Sequence, residues 1–227
     1  MRVQVAALLV AFTLAGCHKK RAPITGPRPK LELVMIDDDG DPTGAIHTAR
    51  LPTGAALLTE TIEGKTMHYA RIVPQSGQSL EDSAVLLDAF LGSQALPPGD
   101  RFGVGPVSST DKWGHDNPDA MRSFVLKGPA VVTEANVVDA SAAQDPMTRH
   151  YSVAVTLDPA GATSLESVTQ ANVGRRLAIV IDGRVQSAPV VRAKIAGGHV
   201  QITLGALASP QAEKDEADRL AHGFSGR

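Results

Sequence analysis

The chain has 227 residues, enough to bury a sizeable core as one domain or two small ones. Its formal charge is −2, with acidic and basic side chains interspersed, which argues against a nucleic-acid surface and leaves no nucleic-acid partner expected. Aromatic residues make up only 4%, too few for stacking platforms that hold bases or sugars.

Residues 1–17 place Arg2 in a short basic start, an apolar run from Val5 to Leu14, and small residues before Cys17. This is the pattern of a secretory signal, and the run is too short for a comfortable membrane span. Leu14-Ala15-Gly16-Cys17 resembles the lipobox of bacterial lipoproteins, in which residues 1–16 are removed and Cys17 becomes the lipid-modified first residue. The alternative is ordinary cleavage nearby with Cys17 incidental. The lipid reading is preferred because Cys17 is the only cysteine and stands where lipidation needs it. Two or more acyl chains would hold the chain on a bilayer, and no disulfide can form within it. Residues 17–30 then read as a basic, proline-rich linker. Extended at about 3 Å per residue, it sets the folded part roughly 40 Å from its lipid. Lys19, Lys20 and Arg21 suit anionic headgroups, although a solvated tether is the plainer account.

Residues 31–126 read as a partial α+β base region. Leu31 to Asp37 is a predicted strand. The acids Asp37, Asp38, Asp39 and Asp41 invite a calcium loop, but the sixth and twelfth places from Asp37 hold Pro42 and Thr48, so the run reads as an acidic turn. Thr66 to Val73 alternates like a strand. Ser79 caps a predicted helix whose first turn carries Glu81 and Asp82, whose stripe is Leu80, Ala84, Leu87 and Leu91, and which Gly92 closes. Arg101 to Val107 and Met121 to Leu126 read as strands joined by a polar loop with Trp113 and His115. Ser109 and Lys112 have the serine–x–x–lysine spacing of some acyl enzymes, but in a loop beside Gly114 and Pro118 the spacing is coincidence.

Residues 127–227 read as a second α+β region, opening with a helical or turn segment from Thr133. Tyr151 to Leu157 alternates as a strand with one apolar face. Asp158 and Pro159 start a helix whose stripe is Ala162, Leu165 and Val168, with Gly174 just past its end. Leu177 to Ile181 is apolar on both faces, as a central strand covered on both sides requires. Asp182-Gly183 suits the positive φ angles of a two-residue hairpin turn. Arg184 to Val191 returns as a strand in which Pro189 cannot donate to a ladder, so its far side is expected to be a sheet edge or a bulge. After Gly197-Gly198 comes a strand from His199 to Leu204, and Ser209-Pro210 opens a last helix reaching Ala221. The expected fold is α+β: a mostly antiparallel sheet of about four strands with helices on one face, plus the smaller base.

The ordered series Gly161-Ala162, Asn172-Val173-Gly174, Asp182-Gly183, Ala188-Pro189 and Gly197-Gly198 resembles the head of the first periplasmic domain of SecD, a subunit of bacterial protein export. The resemblance is dense from Lys127 to Leu207 and thin before it, although Leu31 to Asp37 resembles the opening strand of that domain's base. It implies a periplasm-facing protein of the cell envelope, to which the lipobox at Cys17 adds lipid anchoring to the inner or outer membrane. It also implies contact with extended polypeptide or the Sec export machinery. The family's membrane helices, which couple export to proton flow, have no counterpart expected after Cys17, and the chain ends about where the family's chain leaves the head.

Catalytic patterns are scarce. The histidines at positions 18, 47, 68, 115, 150, 199 and 222 form no i, i+4 pair, so no metal site is expected. With Cys17 consumed no thiol nucleophile remains. Gly103-Val104-Gly105 lacks the third glycine of a dinucleotide loop, and no phosphate loop occurs, so no cofactor is expected. Arg175-Arg176 is an anion clamp or, more often for such a pair, a solvated rim. The expected function is therefore non-enzymatic binding, by strand addition along Arg184 to Val191 or by apolar packing between hairpin and helix. Val185, Val190, Val191 and Ile195 are the candidate contact residues, with plain core as their other reading. The alternative function is a structural or regulatory docking module of the envelope that never touches substrate.

Overall fold

In the computed structural model, the described residues are 28–38, 46, 51–110, 116–147, 149–204 and 210–225. The signal, Cys17, most of the linker, Asp39 to Asp41, Trp113, His115 and Ser209 lie outside them.

The strands are β1 (Leu31–Met35), β2 (Ala55–Ile62), β3 (Lys65–Ile72), β4 (Arg101–Thr110), β5 (Asp116–Leu126), β6 (Val132–Thr133), β7 (Val137–Gln144), β8 (Tyr151–Leu157), β9 (Leu177–Ile181), β10 (Arg184–Ser187) and β11 (His199–Thr203). The helices are α1 (Leu80–Leu91), α2 (Pro159–Ala171) and α3 (Pro210–Ser225). The class is α+β, with one sheet of eight strands ordered β2-β3-β5-β4-β10-β9-β1-β6 and another of three ordered β11-β8-β7. The four strands expected to share one sheet are thus divided, β8 and β11 in the small sheet and β9 and β10 in the large one. Strands from 31–126 and from 127–227 meet in the large sheet, where β1 pairs antiparallel with β9 and β10 pairs parallel with β4.

β9 is buried at every position and lies between β1 and β10, as its two apolar faces predict. Asp182 and Gly183 take φ of 49° and 84°, the two positive values of a tight hairpin turn. Of the edge and the bulge expected for β10, the edge is not found. β10 is interior, with β4 on its far side, and its ladder shifts between Val185 and Ser187. The pairing with β4 is possible because β4 carries glycines. A Cβ at Gly105 would stand 2.2 Å from the Val185 carbonyl oxygen, and one at Gly103 would stand 2.9 Å from Leu126 and Val185 side chains.

Beyond β1 the chain closes on itself. Ile36 bridges Leu126, the Asp37 N–H donates to the Val125 carbonyl at 2.9 Å, and the Lys127 N–H donates to the Met35 carbonyl at 2.8 Å. Strands β5, β4, β10, β9 and β1 therefore form a ring, and Val34, Ile36, Phe124, Leu126, Ala178, Val180 and Val185 pack together as one cluster. Strand alternation sends Leu31, Leu33, Leu177 and Ile179 into a larger cluster with Val153, Val155 and Ile202 of the small sheet, Leu165 of α2, and Leu220 and Phe224 of α3. A third cluster seats Ala84, Leu87 and Leu91 of α1 on Ala70, Ile72, Val104 and Met121.

Two local expectations change, and one hairpin is added to them. The segment from Thr133 is one short 3-10 turn, Glu134–Asn136, and then the strand β7. β2 pairs residue for residue with β3 across Glu63-Gly64, φ 51° and 77°, a second hairpin of the Asp-Gly kind. α3 runs on to Ser225, because Phe224 extends the buried stripe Ala217, Leu220 and Ala221. Gly223 belongs in that last turn for a contact reason: a Cβ there would lie 2.2 Å from the buried Pro29.

Candidate functional site

Burial divides the four candidate contact residues. Val185 is 1% exposed inside the strand ring, and Val191 is 4% exposed in the larger cluster. Both take the core alternative, Val185 because β10 has neighbours on either side and Val191 because its backbone pairs with Gly174 and Arg175 while its side chain packs in the larger cluster. Val190 is half-buried and bridges Arg176, and Ile195 is half-buried with its N–H donating to Thr169 Oγ1 of α2 at 2.9 Å. The four do not form one exposed stripe along the hairpin.

Arg176 is not on a solvated rim either. Its backbone N–H and its Nε each donate to Asp38 at 2.9 Å, its side chain is 7% exposed and that of Asp38 is 3%. Alongside, the Arg122 guanidinium lies 3.6 Å from the Tyr69 ring centroid and 4.9 Å from that of Phe124. Its Nη1 donates to Glu60 at 2.7 Å, while its buried Nε has no partner. Burial lowers the Arg122 pKa against the opposing pull of Glu60. Glu60 also reaches Arg176 Nη1 at 3.6 Å, so two carboxylates balance two guanidinium groups. The space among them is about 20 Å³, room for roughly one water. The arrangement holds strands together and offers no room to an anion.

The roomier feature is a cleft of about 390 Å³ between β7 and α3, lined by Asp139, Ala140, Ser141, Ala142, Asp218, Ala221, His222 and Ser225. β7 is an outer strand of the small sheet, so among the described residues one side of its backbone has no strand neighbour. α3 packs over the inward face of that strand. Asp218, Ala221, His222 and Ser225 recur at i, i+3, i+4 and i+7, which puts them on one flank of the helix facing the edge. Ser225 Oγ donates to the Ala140 carbonyl at 2.8 Å and accepts from the Ala140 N–H at 3.0 Å. His222 Nδ1 lies 2.7 Å from the Asp218 carbonyl oxygen, and the Asp218 carboxylate meets Lys214 at 2.7 Å. The other end of α3 is pinned where the buried Glu213 meets His150 Nδ1 at 3.1 Å, beside the β7–β8 turn. Among the described residues no group of three or more His, Cys, Asp or Glu is placed to hold a metal ion.

Sequence reasoning missed this cleft because it missed β7. The signal was present as the alternation of Ala140 and Ala142 with Asp139 and Ser141, but alanine is a weak strand former and the pattern has little polarity.

A family model described as the SecDF P1 head subdomain matches residues 111–222. The protein translocase subunit SecDF of Thermus thermophilus is 48% identical over 75 residues, covering 33% of this chain and 10% of that protein. The protein translocase subunit SecD of Borreliella burgdorferi is 32% identical over 131 residues, covering 57% of this chain and 21% of that protein. The chain thus spans between a tenth and about a fifth of these relatives. A solved structure described as a membrane component SecDF that enhances protein export is similar over 86% of this chain and 92% of its own, at 24% identity and a TM-score of 0.38.

Proposed function

We propose that this chain, which carries a SecDF-type P1 head region at residues 111–222, is a non-enzymatic envelope protein that binds extended polypeptide during protein translocation. It acts from the periplasmic side, anchored to the inner or outer membrane through lipid on Cys17. In this reading residues 1–16 are the signal, 17–30 the tether, 31–126 the base and 127–227 the head. The single supporting observation is the match to the head, which takes in β7, β8, α2, the β9–β10 hairpin, β11 and nearly all of α3. Among the described residues no helix is long and apolar enough to cross a membrane, so on this reading the lipid is what keeps the head at the bilayer.

The docking alternative is favoured by a different observation. Val85 and Leu86 are 55% and 40% exposed on the outer side of α1, outside the matched region. In-cell photocrosslinking separates the two. A crosslinker at Val138 or His222, beside the cleft, is expected to capture secreted chains in transit. Capture of membrane machinery from Leu86, with no secreted chain from the cleft positions, would replace polypeptide binding by docking. Metabolic labelling with a radioactive fatty acid is expected to mark the chain and to fail in Cys17→Ala.

A further inference from the structure

The Ser225 hydroxyl does at Ala140 what a neighbouring strand does. It meets both the N–H and the C=O of one residue on the outer side of β7, at 3.0 and 2.8 Å. In an antiparallel ladder such outward pairs recur at every second residue. The β7–β8 register is regular from Asp139 to Gln144, so the next outward pair belongs to Ala142. We infer that the outer edge of β7 accepts one extended, basic segment of polypeptide, and that Ser225 holds this edge closed until the segment arrives.

The occupant follows from the walls. Side chains of an added strand alternate between two sides. One side meets the α3 flank at the small residues Ala221 and Ser225. The other meets Asp139 and Ser141 on the open face of the sheet, while Asp218 stands on the α3 flank. The lining side chains include two carboxylates, only one of which is shared with a lysine in the ion pair to Lys214. A segment in which small and basic residues alternate complements both walls, whereas an acidic one meets like charge. The volume of about 390 Å³ is within the range of clefts that bind small ligands or short peptide stretches. The site rests on the proposed reading only in taking polypeptide as its partner.

The test uses the purified full-length chain in detergent, with two fluorescein-labelled ten-residue peptides, one alternating Lys with Ala and one alternating Glu with Ala. Fluorescence anisotropy is expected to show the Lys peptide binding about tenfold more tightly, with affinity falling as salt is raised. Ser225→Ala removes the competitor at Ala140 and is expected to tighten binding by about fivefold, the value of roughly one net hydrogen bond. Ala142→Pro deletes an outward N–H that the β7–β8 ladder does not use, and is expected to weaken binding by about tenfold with Tm nearly unchanged. Equal binding of the two peptides, or weaker binding by Ser225→Ala, overturns the inference. So does parental affinity in a folded Ala142→Pro; if that variant does not fold, Ser225→Ala decides alone. A dimer that Ser225→Ala strengthens, with neither peptide bound, assigns the edge to a second copy and also overturns it. Capture of secreted chains in cells alongside such a result would sink the site and leave the proposed function standing.

Discussion

Asp38 is a carboxylate 3% exposed in its side chain, held by three donors of Arg176: its backbone N–H, its Nε and its Nη2, the last at 2.8 Å. Removing one partner of such a pair leaves the other charge buried without compensation, which costs more than the pair itself contributes. Asp38→Ala is therefore expected to destabilise the fold by about 3 kcal/mol in urea unfolding. A loss below about 1 kcal/mol would mean that Glu60, 3.6 Å from Arg176, takes over the charge. None of this is visible locally. Asp38 appears in the sequence as one of several adjacent acids and Arg176 as half of an arginine pair, and 138 positions separate them. The same distance effect explains Val185 and Val191. Their apolar character is plain in the sequence, but whether such a residue is core or contact depends on what lies beside it: β4, from the other half of the chain, for Val185, and the larger cluster, which includes Leu31 and Leu33, for Val191.

Whole elements were legible where a period or a cap marked them. α1 begins after Ser79, which accepts from the Asp82 N–H at 3.1 Å while Asp82 accepts from the Ser79 N–H at 2.8 Å, the reciprocal pattern of a capping box. α2 starts at Asp158 with its carboxylate accepting from Gly161 N–H at 2.6 Å, and the Asp-Gly hairpin stands where its turn residues put it. Edges were less legible, because a strand's neighbours are set by the ring closure at Ile36 and Leu126. For α1 the cap gives a measurable consequence. The bonds from Ser79, first its backbone N–H and then its hydroxyl, hold the Asp82 carboxyl below its ordinary 3.8. A carboxylate with a folded pKa below its unfolded one contributes stability above the unfolded value, lost as pH falls through the folded value. Ser79→Ala is thus expected to lower stability at pH 7 in urea titrations, and the difference from the parent is expected to narrow as pH drops below 3.8. A pH-independent difference would remove Asp82 from the account.

The molecule as a whole is joined through the ring rather than through a linker. β1 closes against β5 on one side and β9 on the other, and β10 meets β4 in a parallel pairing. Arg184 adds an ion pair to Glu81 at 2.8 Å and another to Asp88 on α1, tying the hairpin to the helix of the other half. Such shared strands make one half a poor folding unit without the other, so a single cooperative transition is expected although the chain reads as base and head. Gly105 is where this joint is most sensitive, since a Cβ would enter within 2.2 Å of the Val185 carbonyl and would push β10 off β4. Backbone cannot yield there as a flexible side chain does. Gly105→Ala is expected to cost about 3 kcal/mol, in the range of overpacked cores. In native-state hydrogen exchange it should raise opening of α1 and of β9 together. Faster exchange confined to β4 and α1, with β9 as protected as in the parent, would show that the head stands alone and that the ring is not what couples it to the base.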